Sequence, residues 1–266
     1  MLMCLPKIYL DELKFHGFEE HFKANISFCY FPQIYFYQEA VKYLHPKERN
    51  YYETLKFEKR IKSYLLGRYA AKMAVGAFTG EEQLDRILIQ QGVFSQPIVT
   101  CLSQQNIQVS ITHSDDFGAA VAFSEAYPIG IDLERISLNK TDILENQITE
   151  TEKELIGQLM KTKLYSYEAL LTLFWTAREA LSKVLKTGLL TPFTIYEIGK
   201  LEIKSGYIVS YFKNFAQYHN ISFQLDHYMC SITCPKKTKL GINISALKEK
   251  LGLTLTEDNI HYRMVQ

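Results

Sequence analysis

In the segment 129–134, apolar side chains occupy every second position, and this pattern constrains the fold more than any other stretch of the chain. A period of two is typical of a β-strand with one apolar and one polar face. The pattern therefore predicts a strand in which Asp132 and Glu134 lie side by side. Taken alone, such a segment is usually just the solvated face of a strand.

A further acidic residue, Glu179, lies forty-five residues after Glu134. Trp175, Glu179 and Lys183 are spaced by four, so they share one face of a predicted helix. Two strand carboxylates and a helical glutamate make an oxygen-rich site suited to Mg²⁺, which also takes ligands from a substrate phosphate. The simpler alternative for Glu179 and Lys183 is a surface ion pair. For Trp175, packing between helix and sheet is favoured over a contact with substrate.

The rest of the chain mixes helical and strand-like segments, which predicts an α+β fold. Thr149 and Glu152 form a capping box at the start of one helix, and Thr79 followed by Gly80 is a natural helix end. The predicted helices cover about 35–44, 47–78, 149–160 and 165–186. The predicted strands cover 8–10, 26–30, 86–91, 98–101, 107–112, 118–124 and 129–134, and the remainder is expected to be mostly strands.

An internal similarity suggests two like halves. The Gly130-Ile-Asp132-Leu sequence recurs 111 residues later as Gly241-Ile-Asn243-Ile, and only the first copy carries the carboxylate. The pattern predicts a pseudo-dimer of two similar α+β lobes, 1–125 and 126–266, with the active site in the cleft between them. Chance similarity is the alternative explanation.

Composition excludes several classes of protein. With 266 residues, 47% of them hydrophobic and 22% charged, the chain is typical of a soluble globular protein. Neither a signal peptide nor an apolar run long enough to span a bilayer is present, which predicts a cytoplasmic protein without a membrane partner. Five scattered cysteines form no disulfide framework, which fits a reducing compartment. The Cys230 and Cys234 pair is expected to pack in the core.

Positive charge is concentrated in the segment 42–72, although the net charge of the chain is only +1. The basic residues there are Lys42, Lys47, Arg49, Lys56, Lys59, Arg60, Lys62, Arg68 and Lys72. A run of charge is usually a solvated helix face, and the functional alternative is a docking surface for a polyanion. A sequence pI of about 7.6 argues against a nucleic-acid partner.

Three motifs in the right order resemble the 4′-phosphopantetheinyl transferase superfamily in its longer, monomeric form. They are Val109-Ser-Ile-Thr-His113-Ser114, Gly130-Ile-Asp132-Leu-Glu134 and Trp175-Thr-Ala-Arg-Glu179-Ala-Leu-Ser-Lys183. The similarity runs from about residue 47 to about residue 245. The resemblance implies transfer of 4′-phosphopantetheine from coenzyme A to a serine of an apo acyl or peptidyl carrier protein, with Mg²⁺, by a monomeric pseudo-dimer.

The resemblance also implies roles for particular residues. Asp132, Glu134 and Glu179 would hold Mg²⁺. Asp132, Glu179 and Lys183 would serve catalysis, with Glu179 taking the serine proton directly or through a metal-bound water, and Lys183 contacting the phosphate. The N-terminal lobe would dock the phosphates of coenzyme A, and the C-terminal lobe would carry the metal and catalytic residues. The residues expected to bind coenzyme A are His113, Ser114, Arg60, Lys62, Arg68 and Lys183.

Two departures from the family pattern leave contacts open. Arg178 and Gln96 stand where the family usually has lysine, so a contact from either position to the nucleotide is not assured. A noncatalytic module that binds coenzyme A or a carrier protein is the main alternative function. A different Mg²⁺-dependent nucleotide transferase is disfavoured, because the chain has no glycine-rich phosphate-binding motif.

Overall fold

The structure, a computed structural model, describes residues 7–16, 21–93, 95–101, 106–188, 191–236 and 239–251. The first half contains β1 (Lys7–His16), β2 (His21–Tyr30), α1 (Ile34–Ala40), α2 (Pro46–Tyr52), α3 (Glu58–Thr79), β3 (Leu88–Gln91), β4 (Pro97–Thr100), β5 (Ile107–Ser114) and β6 (Phe117–Ser124). The second half contains β7 (Gly130–Arg135), α4 (Thr141–Glu145), α5 (Glu150–Met160), α6 (Tyr167–Leu185), β8 (Ile198–Lys204), β9 (Tyr207–Phe212), β10 (Tyr218–Leu225), β11 (Tyr228–Pro235), β12 (Lys239–Leu240) and α7 (Ile244–Leu251).

Two five-stranded antiparallel sheets organise the molecule. The first has the order β12-β1-β2-β6-β5, and the second has the order β7-β11-β10-β9-β8. The long helix α3 packs on the first sheet and α6 packs on the second. One apolar cluster takes residues from both sheets, for example Phe28 and Phe223, whereas the other two lie beneath α3 and α6. The predicted α+β class is confirmed.

The same order of elements occurs twice. A strand, three helices and four further strands follow one another from β2 to β6, and again from β7 to β11. Both β2 and β7 pair with the last strand of their own unit. The structural counterpart of β7 is therefore β2, and not the Gly241–Ser245 segment that the sequence similarity indicated. Gly241 and Asn243 lie in the irregular link between β12 and α7.

The C-terminal segment also departs from the expected division at residue 126. β12 pairs with β1 in the first sheet, and α7 packs against the same strand. Leu247 and Leu251 are almost completely buried in the apolar cluster that contains Leu13. Residues 239–251 therefore lie on the first sheet, although the sequence placed them in a lobe of 126–266.

Each unit contains a buried glutamate that joins a helix start, a strand and the long helix. In the second unit, Glu152 accepts hydrogen bonds from the backbone N–H groups of Thr149 at 3.0 Å and Ile198 at 2.9 Å, and it pairs with the buried guanidinium of Arg178. This confirms the predicted capping box. In the first unit, Glu48 plays the same part and pairs with Lys72 at 2.8 Å.

Two predicted helices differ in their bounds. The helix expected over 47–78 is two helices, α2 and α3, because the chain leaves helical geometry between Tyr52 and Glu58. There the Thr54 hydroxyl donates to the carbonyl of Tyr51 at 2.6 Å, a local bond that competes with helix continuation. The second long helix ends at Leu185, where Lys186 adopts the left-handed conformation with φ of 56°. No helix among the described residues is long and apolar enough to cross a membrane.

Acid should destabilise the protein through the buried His219 in β10. Burial lowers the pKa of His219 to about 4, and Lys236 adds repulsion. Because the unfolded chain takes up a proton near pH 6.5 that the folded state excludes, the free energy of unfolding falls as the pH drops from 6.5 towards 4. We expect a loss of about 2 kcal/mol from this group between pH 7 and pH 5.

Urea denaturation of the wild type and of His219→Gln at both pH values checks this. The variant should lack this part of the acid sensitivity, whereas His227→Gln, at an exposed turn position, should retain it. Equal acid sensitivity in His219→Gln and the wild type would contradict the prediction.

Candidate functional site

A cleft of about 580 Å³ opens where the two halves meet. One wall is formed by α3, β5 and the β3–β4 hairpin, and the other by β7 and α6. It gathers most of the residues that the sequence singled out. The cleft-lining members of that set are Arg60, Arg68, Gln96, His113, Asp132, Glu134, Glu179 and Lys183.

A close approach of β7 and α6 places the acidic residues. A Cβ atom at Gly130 would lie 1.9 Å from the carbonyl oxygen of Ala180. Only glycine leaves room for this crossing, which puts Glu179 beside the strand that carries Asp132. The glycine of the sequence motif therefore has a packing role that supports the site.

Asp132 is 5% exposed and its two carboxylate oxygens have different surroundings. Oδ1 accepts hydrogen bonds from Thr112 Oγ1 at 3.0 Å and from Lys183 Nζ at 2.8 Å. Oδ2 is buried and has no hydrogen-bond partner in the part of the chain that the structure describes. Buried carboxylate oxygens normally accept hydrogen bonds, so Oδ2 can still accept one or coordinate a cation.

The other two carboxylates face the same cleft. Glu134 pairs with Lys140 at 2.8 Å on the more exposed side. Burial raises the pKa of Glu179 to about 7, and the negative charges of Asp132 and Glu134 raise it further against the opposing effect of Lys183. The three acids are thus close enough to repel one another.

Lys183 is fully occupied in this arrangement. Its Nζ donates to Asp132 Oδ1, to the Ile131 carbonyl at 2.9 Å and to the Ile111 carbonyl at 3.1 Å. An ammonium group has three donors, so all of them are used. The lysine joins β5 of the first sheet to β7 of the second, and the expected contact with a phosphate requires one of these bonds to be exchanged.

His113 lies across the cleft on β5. Its Nε2 is 2.8 Å from the Ser63 hydroxyl on α3. Although the ring reaches the open cleft, the surrounding protein lowers the pKa of His113, and Lys183 adds repulsion. The imidazole is therefore neutral at pH 7. Ser114, expected beside it, accepts a hydrogen bond from the backbone N–H of Arg135 at 3.1 Å and is not a cleft-lining residue.

The structure separates the basic residues that the sequence could not distinguish. Arg60 and Arg68 line the cleft, with the Arg68 guanidinium 4.9 Å from the ring centre of Tyr64. Lys62 instead pairs with Glu58 at 2.9 Å and lies over the ring of Tyr37. The cations that α3 contributes to the cleft are therefore Arg60 and Arg68, of which Arg68 also lies 3.6 Å from Glu48.

Two residues of the helical motif lie outside the cleft. Arg178 is buried against Glu152 and donates to the Gln147 carbonyl at 3.0 Å, so it is a structural counterpart of Lys72 rather than a nucleotide ligand. The ring of Trp175 is 5.7 Å from that of Phe193, which fits the favoured packing role.

A divalent cation fits the donor chemistry of the site. Among the described residues, no three His, Cys, Asp or Glu side chains converge in a metal-binding arrangement, and Lys183 and Lys140 engage two of the carboxylates. However, a hard cation would coordinate the unpartnered Asp132 Oδ2 and reduce the repulsion among the three acids. The residues therefore suit Mg²⁺, which would displace at least one ammonium contact.

Several cleft residues were not foreseen. Ser63 lies three residues after Arg60 and four before Gly67, so helical spacing could have revealed it. Lys186 and Gln108 meet at 3.1 Å and also line the cleft. No sequence signal marks that pair, because it joins the residue after α6 to β5 across a separation of 78 residues.

Comparison with known proteins agrees with the geometry. Residues 128–233 match the profile of the 4′-phosphopantetheinyl transferase superfamily. The matched segment runs from just before β7 to β11 and contains Asp132, Glu134, Glu179 and Lys183. A comparison with curated proteins finds no match.

Proposed function

We propose that this chain, whose residues 128–233 match the profile of the 4′-phosphopantetheinyl transferase superfamily, transfers 4′-phosphopantetheine from coenzyme A to a serine of an acyl or peptidyl carrier protein. The observation that carries the proposal is the cleft in which the three acids of the matched segment face arginines from the other half. Acids and bases on opposite walls suit a substrate that is a crowded anion.

The reaction breaks a phosphoanhydride bond and forms a phosphoester bond. The serine hydroxyl oxygen forms a bond to the β-phosphorus of coenzyme A, and the bond from that phosphorus to the bridging oxygen breaks. Adenosine 3′,5′-bisphosphate leaves with the bridging oxygen and its electron pair. The serine proton passes to Glu179, directly or through a water, since this carboxylate faces the cleft beside Asp132.

The two walls of the cleft have different roles in this proposal. Arg60, Arg68 and His113 on the first wall bind the nucleotide phosphates, because guanidinium groups and an imidazole N–H donate hydrogen bonds to phosphate oxygens. Asp132, Glu134 and Glu179 on the second wall would hold Mg²⁺. When bound, the ion offsets the pyrophosphate charge and polarises the phosphoryl centre. Lys183 keeps Asp132 in place and adds positive charge near the same point.

One chain supplies both walls of this cleft, so we propose that the protein acts as a monomer. We also propose a cytoplasmic location, where coenzyme A and carrier proteins are available to it. In this scheme the first lobe docks the nucleotide and the second lobe supplies the metal-binding and catalytic side chains.

Intact-mass measurement tests the function. Purified protein, Mg²⁺ and coenzyme A should add about 340 Da, the mass of the transferred group, to an apo-carrier protein. The measurement uses a panel of acyl and peptidyl carrier proteins, because the carrier that the protein modifies is not identified. If no carrier gains mass while coenzyme A still binds, the noncatalytic binding module replaces the transferase.

Arg60→Ala should weaken coenzyme A binding by about tenfold, because a charged hydrogen bond to phosphate contributes roughly 1.5–3 kcal/mol. Lys62→Ala is the matched control on the same helix, since Lys62 pairs with Glu58 outside the cleft. It should change the Kd by less than about twofold. Calorimetric titration measures both. Equal losses in the two variants would show that the phosphates are not held by the Arg60 face of α3.

A further inference from the structure

A row of hydroxyl side chains on β5 joins the two sheets behind the cleft. Ser110, Thr112 and Ser114 occupy alternate positions of the strand. Their oxygens accept hydrogen bonds from the backbone N–H groups of Ile131 at 3.1 Å, Leu133 at 3.0 Å and Arg135 at 3.1 Å on β7. The first sheet ends at β5 and the second ends at β7, so the row connects two sheet edges.

The row satisfies backbone groups that would otherwise lack partners. An edge strand points every second N–H away from its neighbour in the sheet, and a buried N–H without an acceptor destabilises the fold. Three hydroxyls at a spacing of two match three N–H groups at the same spacing. The register between β5 and β7 is therefore fixed. This register also sets the position of Asp132 relative to the residues of β5.

Two members of the row also contact carboxylates of the cleft: Ser114 donates to Glu134 Oε2 at 3.5 Å, and the Thr112 hydroxyl contacts the almost buried Asp132. A threonine hydroxyl has one proton to donate. The N–H of Leu133 is a donor to Thr112, so the proton of Thr112 is directed to Asp132 Oδ1 at 3.0 Å. Lys183 donates to the same oxygen. Both donors are on Oδ1, and Oδ2 of this almost buried carboxylate is the unsatisfied atom.

We propose that Thr112 is a positioning residue that holds Asp132 with Oδ1 engaged and Oδ2 presented to a divalent cation. The inference rests on the proposed function for the identity of the cation. Groups that orient a metal-binding carboxylate commonly change metal affinity by 10–100-fold when removed. In this scheme Thr112 acts on the cation through Asp132, whereas its bond from the Leu133 N–H has a counterpart in the bond from Ile131 to Ser110.

The test compares Thr112→Val with Ser110→Ala. Each variant removes one hydroxyl that accepts a backbone N–H of β7, but only Thr112→Val also removes a hydrogen bond to Asp132. Mn²⁺ serves as the probe, and its affinity is measured by electron paramagnetic resonance without coenzyme A or carrier. Thr112→Val should weaken Mn²⁺ binding by about tenfold or more. Ser110→Ala should change it by less than about twofold, and Thr112→Ser should restore wild-type affinity.

The outcomes separate this inference from the proposed function. Equal Mn²⁺ affinities of Thr112→Val and Ser110→Ala, or a wild type that binds no Mn²⁺, would overturn the role of Thr112 even if carriers are modified. Conversely, the expected order of affinities together with unmodified carriers would support the positioning role and reject the transferase. Thermal unfolding of both variants reports the loss of the backbone bond, which the two substitutions share.

Discussion

Asp132→Asn should lower the rate of phosphopantetheine transfer by about a thousandfold, the scale typical for removing one electrostatic contact from a transition state. The amide has the same shape and still accepts from Thr112 and Lys183, but it removes the negative charge from the buried oxygen that has no partner. The time course of carrier mass gain, at saturating coenzyme A, measures the effect. Asp142→Asn, at an exposed position on α4, is the control.

We expect an effect of this size because neither of the other two cleft carboxylates can replace the charge of Asp132. Glu134 is bonded to Lys140 on the exposed side of the cleft, and the pKa of Glu179 near 7 leaves it only partly ionised at neutral pH. Transfer by Asp132→Asn within about tenfold of the wild type would mean that the charge is not used, and the cation site would then have to lie elsewhere. Far-UV circular dichroism confirms that the variant is folded.

Glu152→Ala should destabilise the protein by about 3–5 kcal/mol, the usual consequence of removing one partner from a buried ion pair. The substitution leaves the guanidinium of Arg178 buried without its carboxylate. It also removes the acceptor for the N–H groups of Thr149 and Ile198, so the start of α5 and the start of β8 lose their common anchor.

Urea denaturation followed by circular dichroism measures this loss. Glu154→Ala, two residues further on the exposed side of α5, should change the free energy of unfolding by less than about 0.5 kcal/mol. Glu152→Gln should be intermediate, because the amide keeps an oxygen acceptor while losing the charge. A loss below about 1 kcal/mol for Glu152→Ala would show that Arg178 finds another partner when the carboxylate is absent.

Local sequence patterns were sufficient for the parts of the site that depend on local geometry. The period of two put Asp132 and Glu134 on one side of a strand, and the spacing of four put Glu179 and Lys183 on one side of a helix; both pairs line the cleft. The Thr149 and Glu152 capping box was also recognisable, because its bonds span only three residues. Such features follow from backbone periodicity, which any short segment displays.

Contacts between segments that are distant in sequence could not be predicted from such local patterns. The sequence predicted which face of the helix carries Lys183, but it could not predict the three acceptors of its ammonium group. Two of them are backbone carbonyls on separate strands. Likewise, Arg60 and Lys62 are two residues apart on α3, and only the packing of the helix against the sheet decides which of them reaches the cleft. The Gly241 similarity failed because it compared local composition, whereas β2 and β7 correspond through their pairing partners.

The return of β12 and α7 to the first sheet limits how the cleft can open. The chain leaves the first sheet after β6 and comes back to it at β12, so the second half is tethered to the first at two points along the polypeptide. Together with the apolar cluster shared by the two sheets and the hydroxyl row from β5 to β7, these two connections keep the walls of the cleft at a set separation.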